Sequence, residues 1–172
     1  MKKTDGGVTA AKGFQAAGCA AGIKKEGTMD MAMIFSEVPC HAAGTFTTNV
    51  VKAAPVKWDQ EIVYHQDGAR VVVCNSGIAN ACTGAEGMGA STGVIGQQLP
   101  IDRIKGGIAK LALMLEDSPE AGAMAARAIM TTDTHSKETA VSLEIGGKTV
   151  TIGSMCKGSG MIHPNMRTML SF

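Results

Sequence analysis

Gly146 and Gly147 divide the run TAVSLEIGGKTVTIGSM, residues 139–155, into two arms in which apolar and polar residues alternate. A period of two puts one set of side chains on each face of a strand. A Gly-Gly pair between two such arms supplies the positive φ angles of a two-residue hairpin turn. The chain is therefore committed to an antiparallel hairpin near its end, and the other elements must pack around a sheet. MDMAMIFSEV (29–38) alternates its apolar residues and AGTFTTNVV (43–51) is rich in β-formers, which predicts two strands joined around Pro39. ARVVVCNSG (69–77) reads as a buried strand running into a loop rich in small residues, Asn75 to Gly96.

Two helices follow in the pattern. Ile101, Ile104, Ile108, Leu111 and Leu115 share one helical face, although Gly106 and Gly107 weaken that helix. Ser118-Pro119-Glu120 has the form of an N-cap with proline at the first helical position, opening a second helix through about Met130. Strands, helices and strands again give an α+β fold with at least one mixed or antiparallel sheet. At 172 residues the natural reading is a single domain, 1–172, without internal repeat or linker.

Charge and composition narrow the function. Sixteen Lys and Arg stand against fifteen Asp and Glu, so no basic footprint points to nucleic acid or to an anionic membrane. Aromatics make up 3% of the chain, too few for base-stacking platforms, and no apolar run is long enough to span a bilayer. The five cysteines contain no C-x-x-C pair, which argues against a disulfide framework and a structural zinc site and favours a reducing, cytoplasmic setting. A small-molecule ligand fits these totals best, and no metal or organic cofactor is implied.

Three stretches carry hydroxyls and small residues that patterning alone does not require: ASTGVIG (90–96), IMTTDTHSKE (129–138) and KGSGMIHPNMRTML (157–170). KGSG is not a P-loop, and His41, His65, His135 and His163 lack metalloprotease spacing. Read singly, Thr92 and Thr131 cap turns, Asn75 and Asn80 shape a loop, and Lys157 is a solvated charge. Read in order, together with GGVTAAKGFQAAG, SEVPCHAAGTFTTNVVKAAPVKWDQE and VVVCNSGIANACTGAEGM, the stretches resemble the ornithine acetyltransferase (glutamate N-acetyltransferase) family of arginine biosynthesis over nearly the whole chain.

That resemblance implies a layered helix–sheet–sheet–helix α/β fold and a precursor that cleaves itself before a threonine, here between Arg167 and Thr168. The freed Thr168 would be the nucleophile, with its own amine as the adjacent base. Thr92 and Gly93 would form the oxyanion hole, and Thr131, Lys157 and Thr168 the substrate-binding set. The acetyl group would pass from N-acetylornithine to glutamate, with acetyl-CoA as a donor only in bifunctional members. The implied partner is the β-chain of the same precursor in an α2β2 assembly.

Three features depart from the family's pattern. Arg167 stands where alanine is usual. TGAEGMG runs almost directly into ASTGVIG, where relatives place a helix-length segment, so a sheet face is expected to be uncovered. The sequence also stops at Phe172, without a β portion. Two alternatives stay open: a related self-processing amidase or aminopeptidase, and a degenerate member serving as a folding or assembly module.

Overall fold

The computed structural model describes residues 1–80, 90–160 and 169–172. Its elements run β1 (Lys2–Thr4), β2 (Phe14–Cys19), β3 (Met31–Cys40), α1 (Ala54–His65), β4 (Ala69–Ile78), β5 (Ala90–Val94), α2 (Ile101–Ala112), α3 (Pro119–Ala128), β6 (Lys137–Ile145), β7 (Lys148–Lys157) and β8 (Leu170–Ser171). They form two four-stranded sheets, ordered β1-β6-β7-β8 and β2-β3-β4-β5. The first is antiparallel throughout; the second is mixed, because β5 joins β4 in parallel. The hairpin is as the sequence predicts: Ile145 faces Lys148 across Gly146 and Gly147, whose φ angles are 57° and 74°.

The mixed sheet is apolar on both faces. Along β3, Met31 and Met33 point to one side, with Ala17, Cys19, Leu99, Ile104 and Leu111, so α2 covers that face. Ala32 and Ile34 point to the other, with Ala16, Ala125, Ala126, Ile129 and Met155, where α3 and the antiparallel sheet close over them. Close approach explains the many glycines and alanines. A Cβ on Gly18 would strike the Met124 carbonyl of α3, and one on Gly122 would come within 2.9 Å of Thr9 Oγ1. α3 starts as its sequence requires, with Ser118 Oγ accepting from Ala121 N at 3.2 Å.

Several expectations need correction. Residues 43–51 are not a strand: Asn49 N donates to Thr47 Oγ1 and Val51 N to Asn49 Oδ1, local turn bonds that compete with a sheet ladder. The helix α1 that follows, with Pro55 in its first turn, and the strand β2 were not foreseen. β4 is buried only in its second half, leaving Val71 and Val72 exposed. The loop expected from Asn75 to Gly96 instead contains the end of β4 and all of β5.

The two glycines of α2 separate cleanly. A Cβ on Gly106 meets nothing within 4 Å, whereas one on Gly107 collides with the Met31 sulfur and comes within 2.9 Å of Ala21 Cβ. Gly106→Ala is expected to stabilise the protein by about 0.5–1 kcal/mol through helix propensity. Gly107→Ala should cost about 1–3 kcal/mol through overpacking. Urea midpoints of the two variants moving the same way would refute this packing of α2 on β3.

Candidate active site

Two of the three hydroxyl-rich stretches and the start of the third meet at one ammonium group. Lys157, the last residue of β7, is 6% exposed. Its Nζ donates to Thr131 Oγ1 at 2.6 Å and to Thr92 Oγ1 at 3.3 Å. Thr92 comes from β5 and Thr131 from the segment after α3, so contacts 65 and 26 residues away in sequence converge on one atom. Solvated lysines and turn-capping threonines would not give this arrangement.

Behind Lys157 lies Asp133, whose side chain is 1% exposed. Its Oδ1 accepts from Lys137 Nζ at 2.7 Å and from Gly158 N at 2.9 Å. Its Oδ2 accepts from Thr131 N at 3.2 Å and lies 3.8 Å from Lys157 Nζ. Desolvation is the largest single influence and would raise the pKa of this carboxyl. The bonds from Lys137, Gly158 and Thr131 together outweigh it and hold the group well below the usual carboxylate range. Asp133 therefore stays charged and fixes the ends of Thr131 and Lys157 relative to each other.

A second buried carboxylate shapes the other wall. Asp30 is fully buried and accepts from Ala21 N at 2.7 Å, Ile23 N at 2.6 Å and Lys24 N at 3.0 Å. Lys24 then reaches across to the Met130 carbonyl at 2.6 Å and the Met29 carbonyl at 3.1 Å. Burial lowers the Lys24 pKa, the Asp30 charge opposes that shift, and the nearby Lys157 charge adds to it. Ser76, fully buried on β4, bonds the Asp30 carbonyl through its N–H at 2.8 Å and the Ala128 carbonyl through its hydroxyl at 2.5 Å. The segment carrying Thr131 is thus tied to β4 and to the β2–β3 connection.

Gly93 sits next to Thr92 with φ 140°, a backbone state that disfavours side chains. A Cβ there would overlap the backbone of its register partner, Gly77. Asn75 secures the same pair of strands, accepting from Ser91 Oγ at 2.5 Å and donating to the Ile78 carbonyl at 2.9 Å. Thr168 and Arg167 lie outside the described residues. The structure thus brings together Thr92, Gly93, Thr131 and Lys157. It adds Asp133, Asp30, Lys24, Ser76 and Asn75, which sequence reasoning missed or read as loop-forming. A signal for Asp30 was present: it is a lone acid inside the apolar run MDMAMIF.

Residues 15–90 and 88–172 match the ArgJ family model. The chain is 53% identical to the arginine biosynthesis bifunctional protein ArgJ of Symbiobacterium thermophilum, covering 100% of this chain and 48% of that protein. It is 46% identical to the ArgJ of Thermosynechococcus vestitus, covering 97% and 45%. The chain thus spans about half the length of the curated relatives it matches. Among solved structures, ArgJ from Bacillus halodurans superposes with a TM-score of 0.88 at 40% identity, covering 98% of this chain and 97% of that one. Ornithine acetyltransferase from Mycobacterium tuberculosis, crystallised with ornithine, gives 0.78 at 40% identity over 93% and 95%. The match to the Symbiobacterium protein runs over 196 positions, so at least 24 of them face a gap in this 172-residue chain. The two family matches adjoin at residues 88–90, where the sequence shows the shortened segment.

Asp133→Asn keeps the shape of the side chain and removes the charge that faces Lys137 and Lys157. We expect a loss of about 3 kcal/mol at neutral pH, since it leaves a buried cation uncompensated. The folded carboxyl lies below its unfolded value of about 4, so the unfolded chain takes up the proton first. The stability that Asp133 contributes is full above that value and is lost as pH falls through the native one. Urea titrations across acid pH should show a shallower acid loss in the variant than in the parent; equal slopes would refute this role.

Proposed function

We propose, from the premise that this chain belongs to the ArgJ family, that it is the α portion of a self-processing acetyltransferase that moves an acetyl group from N-acetylornithine to glutamate. The observation that carries the reading is the convergence of Thr92 and Thr131 on the buried Lys157 ammonium. The relatives named for arginine biosynthesis and the ornithine-bound structure support the substrate class. The Bacillus halodurans chain is matched almost end to end, while the curated ArgJ proteins are matched over about half. That difference supports a working enzyme assembled from two chains. An apolar groove between the two sheets, walled by Ile34, Val72, Ile152 and Phe172, supports a β portion packing there as partner in an α2β2 assembly.

In this reading Thr168 Oγ attacks the acetyl carbonyl while its proton passes by way of the threonine amine to the departing nitrogen. The C–N bond breaks, ornithine leaves, and an acetyl-threonine ester remains. The glutamate amine then attacks the ester, the C–O bond breaks, and the proton returns to Thr168 Oγ. Each tetrahedral intermediate places charge on one oxygen. A hydroxyl and a backbone N–H held in advance at Thr92 and Gly93 stabilise that charge without reorganising. Thr131 and Lys157 form the adjoining substrate wall. Acetyl-CoA as a second donor belongs to the same proposal, since the curated relatives are named bifunctional.

The test begins with self-cleavage. The chain extended beyond Phe172 by the remaining half of the Symbiobacterium relative is expected to give two masses by intact-mass spectrometry, the second beginning at Thr168. Thr168→Ala should abolish the cut. A single uncut mass from the unsubstituted fusion would defeat the self-processing claim and leave the assembly-module alternative as the better account.

A further inference from the structure

We propose that Lys24 is a positioning residue for acetyl transfer: its ammonium holds the peptide group between Met130 and Thr131, and through that peptide sets where Thr131 meets the substrate. The proposal rests on the acetyl-transfer reading above. Lys24 lies in the β2–β3 connection, and its Nζ donates to the Met130 carbonyl at 2.6 Å and to the Met29 carbonyl at 3.1 Å. The N–H of the same Met130–Thr131 peptide donates to Asp133 Oδ2 at 3.2 Å. One peptide group is therefore gripped by a cation at its oxygen and by an anion at its nitrogen. That is the favourable alignment of a peptide dipole, and turning the peptide over would set it against both charges. Hydrogen bonds with one charged partner are also stronger than those between neutral groups.

Stability alone does not account for an ammonium at this place. Lys24 is half-buried and forms no ion pair among the described residues. Burial disfavours its charge more than the Asp30 carboxylate favours it. Its stem packs on β4, where a Cβ on Gly77 would come within 2.8 Å of Lys24 Cγ. An apolar side chain of similar length would pack there without desolvating a charge. What the ammonium adds is the hold on the Met130 carbonyl.

That hold falls where the chain leaves α3 for the site. The end of α3 is fixed by the Ser76 hydroxyl at the Ala128 carbonyl, and Met130 follows two residues later. The chain must then turn so that Thr131 Oγ1 meets Lys157 Nζ at 2.6 Å. Lys24 and Asp133 fix the peptide that enters Thr131, and Lys157 meets its hydroxyl, so the threonine is held at backbone and side chain alike. The clamp is itself anchored, because Lys24 N donates to the buried Asp30 carboxylate at 3.0 Å. Without the ammonium, the peptide keeps its Asp133 contact and can tilt about it, which moves the Thr131 hydroxyl relative to Lys157.

Two measurements decide the matter. Met130–Thr131 is the only Met-Thr pair in the sequence. In the 172-residue chain labelled with 13C at methionine carbonyls and 15N at threonine, that peptide gives a single carbonyl–amide cross-peak. Its carbonyl resonance should move upfield in Lys24→Met and in Lys24→Gln, neither of which carries the charge, and its amide proton should move in Asp133→Asn. A cross-peak unmoved in both Lys24 variants overturns the proposal.

The second measurement is acetyl transfer by this chain co-expressed with the remaining half of the Symbiobacterium relative. Lys24→Met should raise the KM for N-acetylornithine about tenfold while kcat changes by less than about threefold, the pattern of a binding contact made equally in ground and transition states. Thr131→Val should raise KM at least as much. The lysine substitution added to Thr131→Val should have no further effect, because it acts through the threonine. A KM unchanged by Lys24→Met would make Lys24 a packing residue, and losses that add in the double variant would make it a substrate ligand; either refutes the proposal. If the unsubstituted complex transfers no acetyl group, the functional reading fails, and the cross-peak still decides what Lys24 holds.

Discussion

The carboxylate of Asp30 is the constraint on which the site depends. A fully buried acid is costly unless hydrogen bonds satisfy it, and Asp30 takes three backbone N–H groups from the β2–β3 connection. That connection can then adopt one path only, and the path delivers Lys24 to the Met130 carbonyl. The Asp30 carbonyl bonds Ser76 of β4, whose hydroxyl bonds the end of α3. Residue Asp30 thus ties the β2–β3 connection through its carboxylate and the end of β4 through its main-chain carbonyl, while Ser76 and Lys24 carry the link on to the segment leading to Thr131. Removing the carboxylate would free the β2–β3 connection and with it the placement of Lys24, so the site is better regarded as one network than as a set of residues.

Small residues carry that network through the core. With few aromatics, the mixed sheet and α3 approach closely through Ala16, Gly18, Ala125 and Ala126, and the approach is limited by backbone atoms, not by bulky side chains. Such an interface offers little slack. A methyl group added at Gly18 must push α3 outward, and α3 leads into Met130 and Thr131. Packing in the core and placement of the site are therefore mechanically linked.

What could be read from the sequence follows from how local each signal is. The Gly146-Gly147 hairpin and the Ser118 cap rest on neighbours in sequence, and both are present as read. Thr92, Gly93, Thr131 and Lys157 were legible as a family pattern, yet their meeting at one nitrogen is a matter of tertiary structure that no spacing announces. Asp133 was hidden among the hydroxyls of TTDTHSKE, because its partners Lys157 and Gly158 are distant in sequence. The failure at residues 43–51 has the opposite cause. β-Formers express their preference only beside a strand to pair with, and Thr47 and Asn49 bond locally instead.

The shortened link between β4 and β5 bears on the whole site, since it removes chain just before Thr92. A parallel pair needs a crossover of about a dozen residues or more, and only residues 79–89 connect these strands. The register is nevertheless set at the strands themselves. Asn75 pairs with Ser91 and Gly77 with Gly93, the Asn75–Ser91 side chains bond each other, and Ala79 N donates to the Val94 carbonyl at 2.9 Å. Slipping β5 by one residue would set a Cβ against the backbone of Gly77 and turn Thr92 to the opposite face, away from Lys157. The glycine pair and the Asn75–Ser91 bond thus keep Thr92 against its lysine across the short link.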